Sequence, residues 1–302
     1  MKKVPYSSVS YVFSREIEPA LTIKPGEGVV FETLDARSAR SIPSQGYSSP
    51  LPQPLERSNP VTGPVYVDGA EPGDVLSIKI ESIKLMEWGY VSAKPTVGVL
   101  KDWIKEPITR AVRVHGGMVF FREGLTFPTR PMVGTVGVAP AEGGVHTIHP
   151  GVHGGNMDCN DITVGSTVYL PVFVEGALLA LGDVHAFMGD GETSGGGLDI
   201  SADVEAEIDV LRGVSLGRPL VETRDHIVYT YNATDLKIAV RGVVEEAVKH
   251  LSCRLKLPLE EAIILVSVAG DVMLCQACDS PIDVVTRLKI PKAVFPKDTW
   301  FL

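Results

Sequence analysis

Nowhere in the 302 residues is there a run of roughly 18 apolar side chains, the length that a membrane-spanning helix needs. Met1-Lys2-Lys3 carries positive charge, but no apolar stretch comes after it, so the start does not read as a secretory signal. Cysteine is scarce. Cys159, Cys253, Cys275 and Cys278 are too few to staple a chain of this length, and the expected compartment is the cytoplasm. Basic residues are short as well: 28 Lys and Arg stand against 37 Asp and Glu, a net charge of -9. No basic stripe is left over to neutralise phosphates, which argues against nucleic acid or an anionic membrane as a partner.

What is abundant points to a turn-rich globular protein. Hydrophobic residues make up 44% and charged residues 22%, the balance of a chain with a full core. The 30 glycines and 22 prolines favour many turns and therefore short strands. In Gly73–Glu81, Leu76, Ile78 and Ile80 share one face while Ser77, Lys79 and Glu81 take the other, the alternation of a half-buried strand. Short apolar runs continue to about residue 185, separated by Pro-Gly, Asp-Gly, Glu-Gly and Gly-Gly pairs. Residues 41–60 are rich in Ser and Pro and read as a long loop.

Pro64-Val65-Tyr66-Val67-Asp68-Gly69-Ala70 is echoed by Pro171-Val172-Phe173-Val174-Glu175-Gly176-Ala177, and each copy leads to a Gly-Asp-Val. The echo suggests an internal duplication of a β unit, with convergent hairpin chemistry as the alternative. Thr234-Asp235 can cap a helix in which Leu236, Ala239, Val240, Val243, Ala247 and Leu251 recur at helical spacing. Pro258 then opens a short second helix leading into the apolar run Ile263–Val268. The expected architecture is mainly β: a jelly-roll-like sandwich body over residues 1–225 that carries the site, and an α+β portion over 226–302 packed on it.

Side chains able to bind a cation concentrate between residues 146 and 192. If Leu179–His185 is a strand, Asp183 and His185 point to one face and can supply two ligands to one metal. Glycines around Asp158, Asp190 and Glu192 let the backbone approach closely and aim those carboxylates. His149 and His153 lie in a Pro/Gly loop, where capping a turn competes with ligation. Asn156 suits an oxyanion donor or a left-handed turn. Glu32 shares a strand face with Val30 and Leu34 and should meet either a cation or a metal. Cys275-Gln276-Ala277-Cys278 lacks the context of a redox or zinc motif and reads as structural.

At these residues the chain resembles the acetamidase/formamidase family. The matching blocks are Asn59–Pro64, Asp68–Asp74, Pro131–Pro140, Gly154–Asp158, Pro171–Ala177, Gly182–His185 and Gly189–Glu192. Weaker similarity includes Glu32–Ala36 and Pro291-Lys292, while Thr193–Asp199 departs from the family form, which places a Glu near Asp199. The resemblance implies hydrolysis of short aliphatic amides to ammonia and a carboxylate, a β-rich body, a bound divalent metal and homodimers.

The resulting expectation has Asp35, Asp158 and His185, with Asp183 able to replace one of them, holding a zinc-like ion that acidifies a water and polarises the amide carbonyl. Calcium is the alternative ion, and no organic cofactor is expected. Glu192 serves as general base and then acid, Asn156 or a glycine N–H faces the oxyanion, and Asp183 belongs to the same reacting group. Glu32 and His153 are further candidate ligands. Two rivals remain: an amidase using Cys159 as nucleophile beside a structural metal, and a non-enzymatic β-sandwich that uses metal to hold its loops or bind a ligand.

Overall fold

A computed structural model describes residues 1–40, 55–278, 282–296 and 302, so most of the expected 41–60 loop lies outside the described residues. The remainder of that segment begins with a 3-10 turn, Leu55–Arg57. Among the described residues, eighteen strands join one hydrogen-bonded network, and Val12–Ser14 with Gly144–His146 form a separate two-stranded ribbon.

The alternation at Leu76, Ile78 and Ile80 is realised at the start of the longest strand, Val75–Ala93, where all three are fully buried. Asp199–Leu211 pairs antiparallel with this strand from Tyr90 back to Val75, interrupted by irregularities at Ile200/Ala202 and Glu205/Ala206. Bulges of this kind bend and twist a ribbon, which lets long strands curl round a core instead of running flat. That core contains Phe31, Ile78, Leu170, Leu181 and Val204.

The two echoed segments meet each other. Ala70 N donates to Val67 O at 3.1 Å and Ala177 N to Val174 O at 3.0 Å, the same turn in each copy. Val67 N reaches Gly176 O, and Gly176 N reaches Ala70 O, so the turns are hydrogen-bonded together. Beyond the turns the two copies diverge: Gly73-Asp74-Val75 leads into the long strand, whereas Gly182-Asp183-Val184 lies inside the strand Leu179–His185.

The helices lie near the C-terminal end, as the sequence predicts. Asp235 caps Leu236–Leu255 by accepting from Lys237 N at 2.9 Å and Ile238 N at 3.1 Å. The second helix, Leu259–Ala269, is longer than expected because the apolar run 263–268 continues it. Only Ala262 and Val266, one turn apart, are buried in it, while Ile263, Ile264 and Val268 are exposed. That run therefore lacks both the alternation of a strand and the apolar stripe of a buried helix. Both helices share a second core with the strands His226–Ala233 and Val284–Pro291, through Val243, Leu251, Ile227, Leu288 and Ile290. No described helix is long and apolar enough to cross a membrane.

Candidate active site

The strand Leu179–His185 is buried at every position and runs between Met132–Gly137 and Val61–Val67. Its last residue, His185, pairs with Asp199 at the head of the next strand. Asp158 arrives from the segment after Gly154–Asn156, its N–H donating to Gly134 O at 3.1 Å. Asp158, Asp183 and Glu192 all have left-handed backbone, with φ of 46°, 54° and 45°. Side chains other than Gly, Asn and Asp rarely adopt that region, and such residues cluster where surrounding structure fixes them for a task.

Ligand atoms of Asp158, Asp183 and His185 lie within 4.8 Å of one another, and all three residues are buried. His185 Nε2 is 3.3 Å from Asp158 Oδ1. His185 Nδ1 is 2.8 Å from Asp199 Oδ1, a charge contact rather than an aligned hydrogen bond. Asp183 Oδ2 accepts from Asn59 Nδ2 at 2.7 Å and Thr135 Oγ1 at 3.2 Å. Asp158 Oδ2 is buried with no hydrogen-bond partner. A carboxylate oxygen left dry and unpaired is costly, and a cation beside it would remove the cost. Two carboxylates and an imidazole form a donor set suited to zinc or a similar divalent ion, so the residues fit such a group.

The electrostatics reflect this crowding. Burial, then the charges of Asp158, Asp183 and Asp199, push Glu192 well above the usual carboxylate range, with His185 partly opposing. Burial is also the main cause of the rise at Asp183. For His185 the largest influence, desolvation, would lower the imidazole, but Asp183, Asp158 and Asp199 together outweigh it and hold it well above its ordinary value.

A cavity of about 400 Å³ opens onto this group, lined among others by Asp183, His185, Glu192, Asp199, Asn156 and Gln276. A wider groove of about 680 Å³ shares Ser92, Glu192 and Gly196 with it and is walled by Phe121, Phe127 and Phe187. The reactive groups concentrate in the smaller space. Glu192, partly exposed, faces it.

The remaining expected residues lie elsewhere. Asp35 is not in the Asp158–Asp183–His185 group; its Oδ1 accepts from Arg37 N and Ala39 N, both at 2.9 Å, and so caps its own turn. Burial and nearby Asp199 raise its pKa to about 7. Glu32 meets cations: Lys3 Nζ at 2.5 Å and Arg40 Nη2 at 3.9 Å. It stands on the less buried face of its strand, opposite Val29 and Phe31. Cys159 is fully buried in the core and is not part of the cavity wall.

His153 packs edge-on against Phe13, ring centres 5.2 Å apart, and burial with the charge of His149 lowers its pKa to about 4. Because the folded state resists protonation there, stability is kept above the unfolded pKa near 6.5 and drains as pH falls towards 4, by about 3 kcal/mol. His153→Gln should flatten this acid loss, measured as the difference between urea midpoints of the two proteins from pH 7 to pH 4. A constant difference across that range would mean that His153 does not couple folding to pH.

Asp199, Asn59, Thr135 and Gln276 also join the site; Asn59 and Thr135 stand in the family-like blocks, but the sequence assigns none of the four a role. Gln276 Nε2 donates to Asn156 O at 2.8 Å, bringing the strand Asp271–Gln276 to the site. The signal available for Asp199 is its place as a carboxylate heading the long alternating strand Asp199–Leu211. Behind the site, buried Arg287 grips both oxygens of Asp190 at 3.0 and 2.7 Å and brings Nε to 2.9 Å from Asp161 Oδ2. One guanidinium thus ties the loop after Asp158 to the loop before Glu192.

A model of the Acetamidase/Formamidase family matches residues 8–143 and 141–297. The chain is 26% identical over 262 residues to an acetamidase of Mycolicibacterium smegmatis, covering 66% of this chain. It spans 64% of that relative, a little under two thirds of its length. A crystal structure from Thermoanaerobacter tengcongensis, described as a predicted acetamidase/formamidase, superposes with TM-score 0.93 at 36% identity, covering 97% of this chain and 96% of the other. An acetamidase of Bacillus halodurans gives TM-score 0.92 at 34% identity, over 97% and 98% of the two chains.

Proposed function

Since this chain belongs to the acetamidase/formamidase family, we propose that it hydrolyses a small linear amide to ammonia and a carboxylate at a metal centre formed by Asp158, Asp183 and His185. The observation that carries this reading is the dry, unpartnered Oδ2 of Asp158 beside two further ligand side chains. A bound zinc-type ion would supply Lewis acidity at the amide carbonyl and to water.

The chain's own residues account for the rest. Glu192 takes a proton from water as oxygen adds to the carbonyl carbon, and delivers it to nitrogen as the C–N bond breaks. Water's oxygen ends in the carboxylate and its protons on the departing amine. Asn156 Oδ1 accepts from Thr135 Oγ1 at 2.9 Å and Asn59 Nδ2 at 3.3 Å, which leaves its Nδ2 donors for the oxyanion at the cavity wall. Asp199 holds the Nδ1 side of His185 so that Nε2 faces Asp158.

Chelation is expected to abolish ammonia release from acetamide and formamide, and one equivalent of zinc to restore it. Cys159→Ser should leave the rate intact, because Cys159 is buried away from the cavity wall. Full activity of the metal-free protein would end the metal assignment, and a folded but inactive Cys159→Ser would favour the Cys159 route. No ammonia from any short amide, together with a metal-dependent rise in melting temperature, would favour the binding-protein reading.

A further inference from the structure

Two cations, Arg37 and Lys94, line the wall of the reactive cavity, and among the described residues neither has a carboxylate within ion-pair distance. Arg37 sits over the Tyr90 ring, its Cζ 4.2 Å from the ring centre, and donates from Nη2 to Thr109 Oγ1 at 2.8 Å. Its Nη1 is buried with no partner. Lys94 shares the cavity wall, and among the described residues its ammonium has neither a hydrogen bond nor an ion pair. Burial, then the charge of Arg37, lowers its pKa, and the attraction of Asp199 does not make up the difference. Charges partly removed from water are normally paired.

The volume of the space is the second observation. An amide of four heavy atoms fills on the order of 100 Å³ at the ~30 Å³ that each water takes in the liquid. The cavity is about 400 Å³. Formamide or acetamide would leave most of it to solvent, including the part walled by Arg37 and Lys94. A carboxyl cluster that performs hydrolysis and a pair of unpaired cations, in one cavity, match a ligand with two ends.

We infer that the substrate is an amide carrying its own carboxylate, the amide at Asp158, Asp183, His185 and Glu192 and the carboxylate between Arg37 and Lys94. This rests on amide hydrolysis at the same site and specifies the class of amide. An arginine offers a planar fork to such a group and a lysine a point charge, so the pair can hold both carboxylate oxygens.

The probes are succinamate and the uncharged pentanamide, assayed with metal-loaded protein by ammonia release. The ratio of kcat/KM for succinamate to that for pentanamide should exceed about tenfold, the worth of one hydrogen bond to a charged group. Arg37→Gln and Lys94→Met should each lower that ratio by a similar factor, mainly through KM. Lys94→Met keeps the volume of the side chain, so it tests the idea even if Arg37→Gln unsettles the stack on Tyr90. Calorimetry with butyrate, which keeps the single carboxylate, and the metal-free protein supplies a readout independent of turnover: binding is expected, and its loss in Lys94→Met.

A ratio at or below one, or one that neither variant moves, overturns the carboxylate assignment and leaves amide hydrolysis standing. Ammonia from neither amide, with butyrate still bound through Lys94, overturns amide hydrolysis and keeps the anion site. Failure of the native protein to bind butyrate overturns the anion site directly.

Discussion

Glu192→Gln is expected to lower kcat for amide hydrolysis by about a hundredfold to ten-thousandfold, the span of general-base catalysis, while the protein keeps its metal. Glutamine has the same length and can occupy the same left-handed position, but it cannot carry a proton. The native carboxyl is suited to that task because burial and the neighbouring charge of Asp158 hold it well above the usual carboxylate range. A carboxyl shifted upward holds a proton more readily than an ordinary one, which suits a group that must take a proton and return it. The same crowding predicts the sign of the stability change. Asp158, Asp183, Asp199 and Glu192 repel one another in a buried space, so neutralising one should leave the melting temperature equal or higher. Three measurements decide it: ammonia release, bound metal and melting temperature. Metal lost together with activity would make Glu192 a ligand, and activity near the native rate would require another base.

The parts of this arrangement that are legible in the sequence are those governed by near neighbours. Alternation at Leu76, Ile78 and Ile80 locates the longest strand, and Asp235 fixes the start of the first helix, because period and capping are local properties. Asp158, Asp183, His185 and Glu192 are visible as polar groups among glycines and apolar runs. Which of them converge is not. The trio expected from sequence includes Asp35, but one of its carboxylate oxygens accepts from the backbone of residues 37 and 39, a turn that spacing does not reveal. Asp199 and Gln276 reach the site only through pairings made late in the chain, His185 with Asp199 and the bridge from Gly191 to Gln276. Strand register over such separations is set by the packed core, not by the residues alongside. The run Ile263–Val268 misleads for a related reason: a helix buried on one narrow face, Ala262 and Val266, carries too little pattern to declare itself.

Gly134→Ala should cost the protein its metal even though the residue has no side chain to offer. A Cβ at this position would stand 2.7 Å from Asp158 Oδ1, 2.8 Å from Asp183 O and 3.0 Å from Asp183 Oδ2. One of these atoms is backbone, and the other two are the carboxylate oxygens of the proposed ligands themselves. Gly134 O also accepts from Met157 N at 3.0 Å and Asp158 N at 3.1 Å, which sews the strand to the segment carrying the first carboxylate. A methyl group must therefore push the two acids apart. Overpacking of a tight interior costs about 1–3 kcal/mol, so a lower melting temperature alone would prove little. The informative quantity is the response to metal. An ion at a hundred times its dissociation constant stabilises a protein that binds it by about 2.7 kcal/mol, and this increment should vanish in Gly134→Ala. Gly270→Ala supplies the comparison, since its Cβ would meet Val266 O at 2.6 Å at the end of the second helix, among residues that do not line the cavity. That variant should also melt earlier, yet rise with metal as the native protein does. If Gly134→Ala rises equally, the approach of Asp158 and Asp183 does not depend on the absence of a Cβ at residue 134, and they do not share an ion.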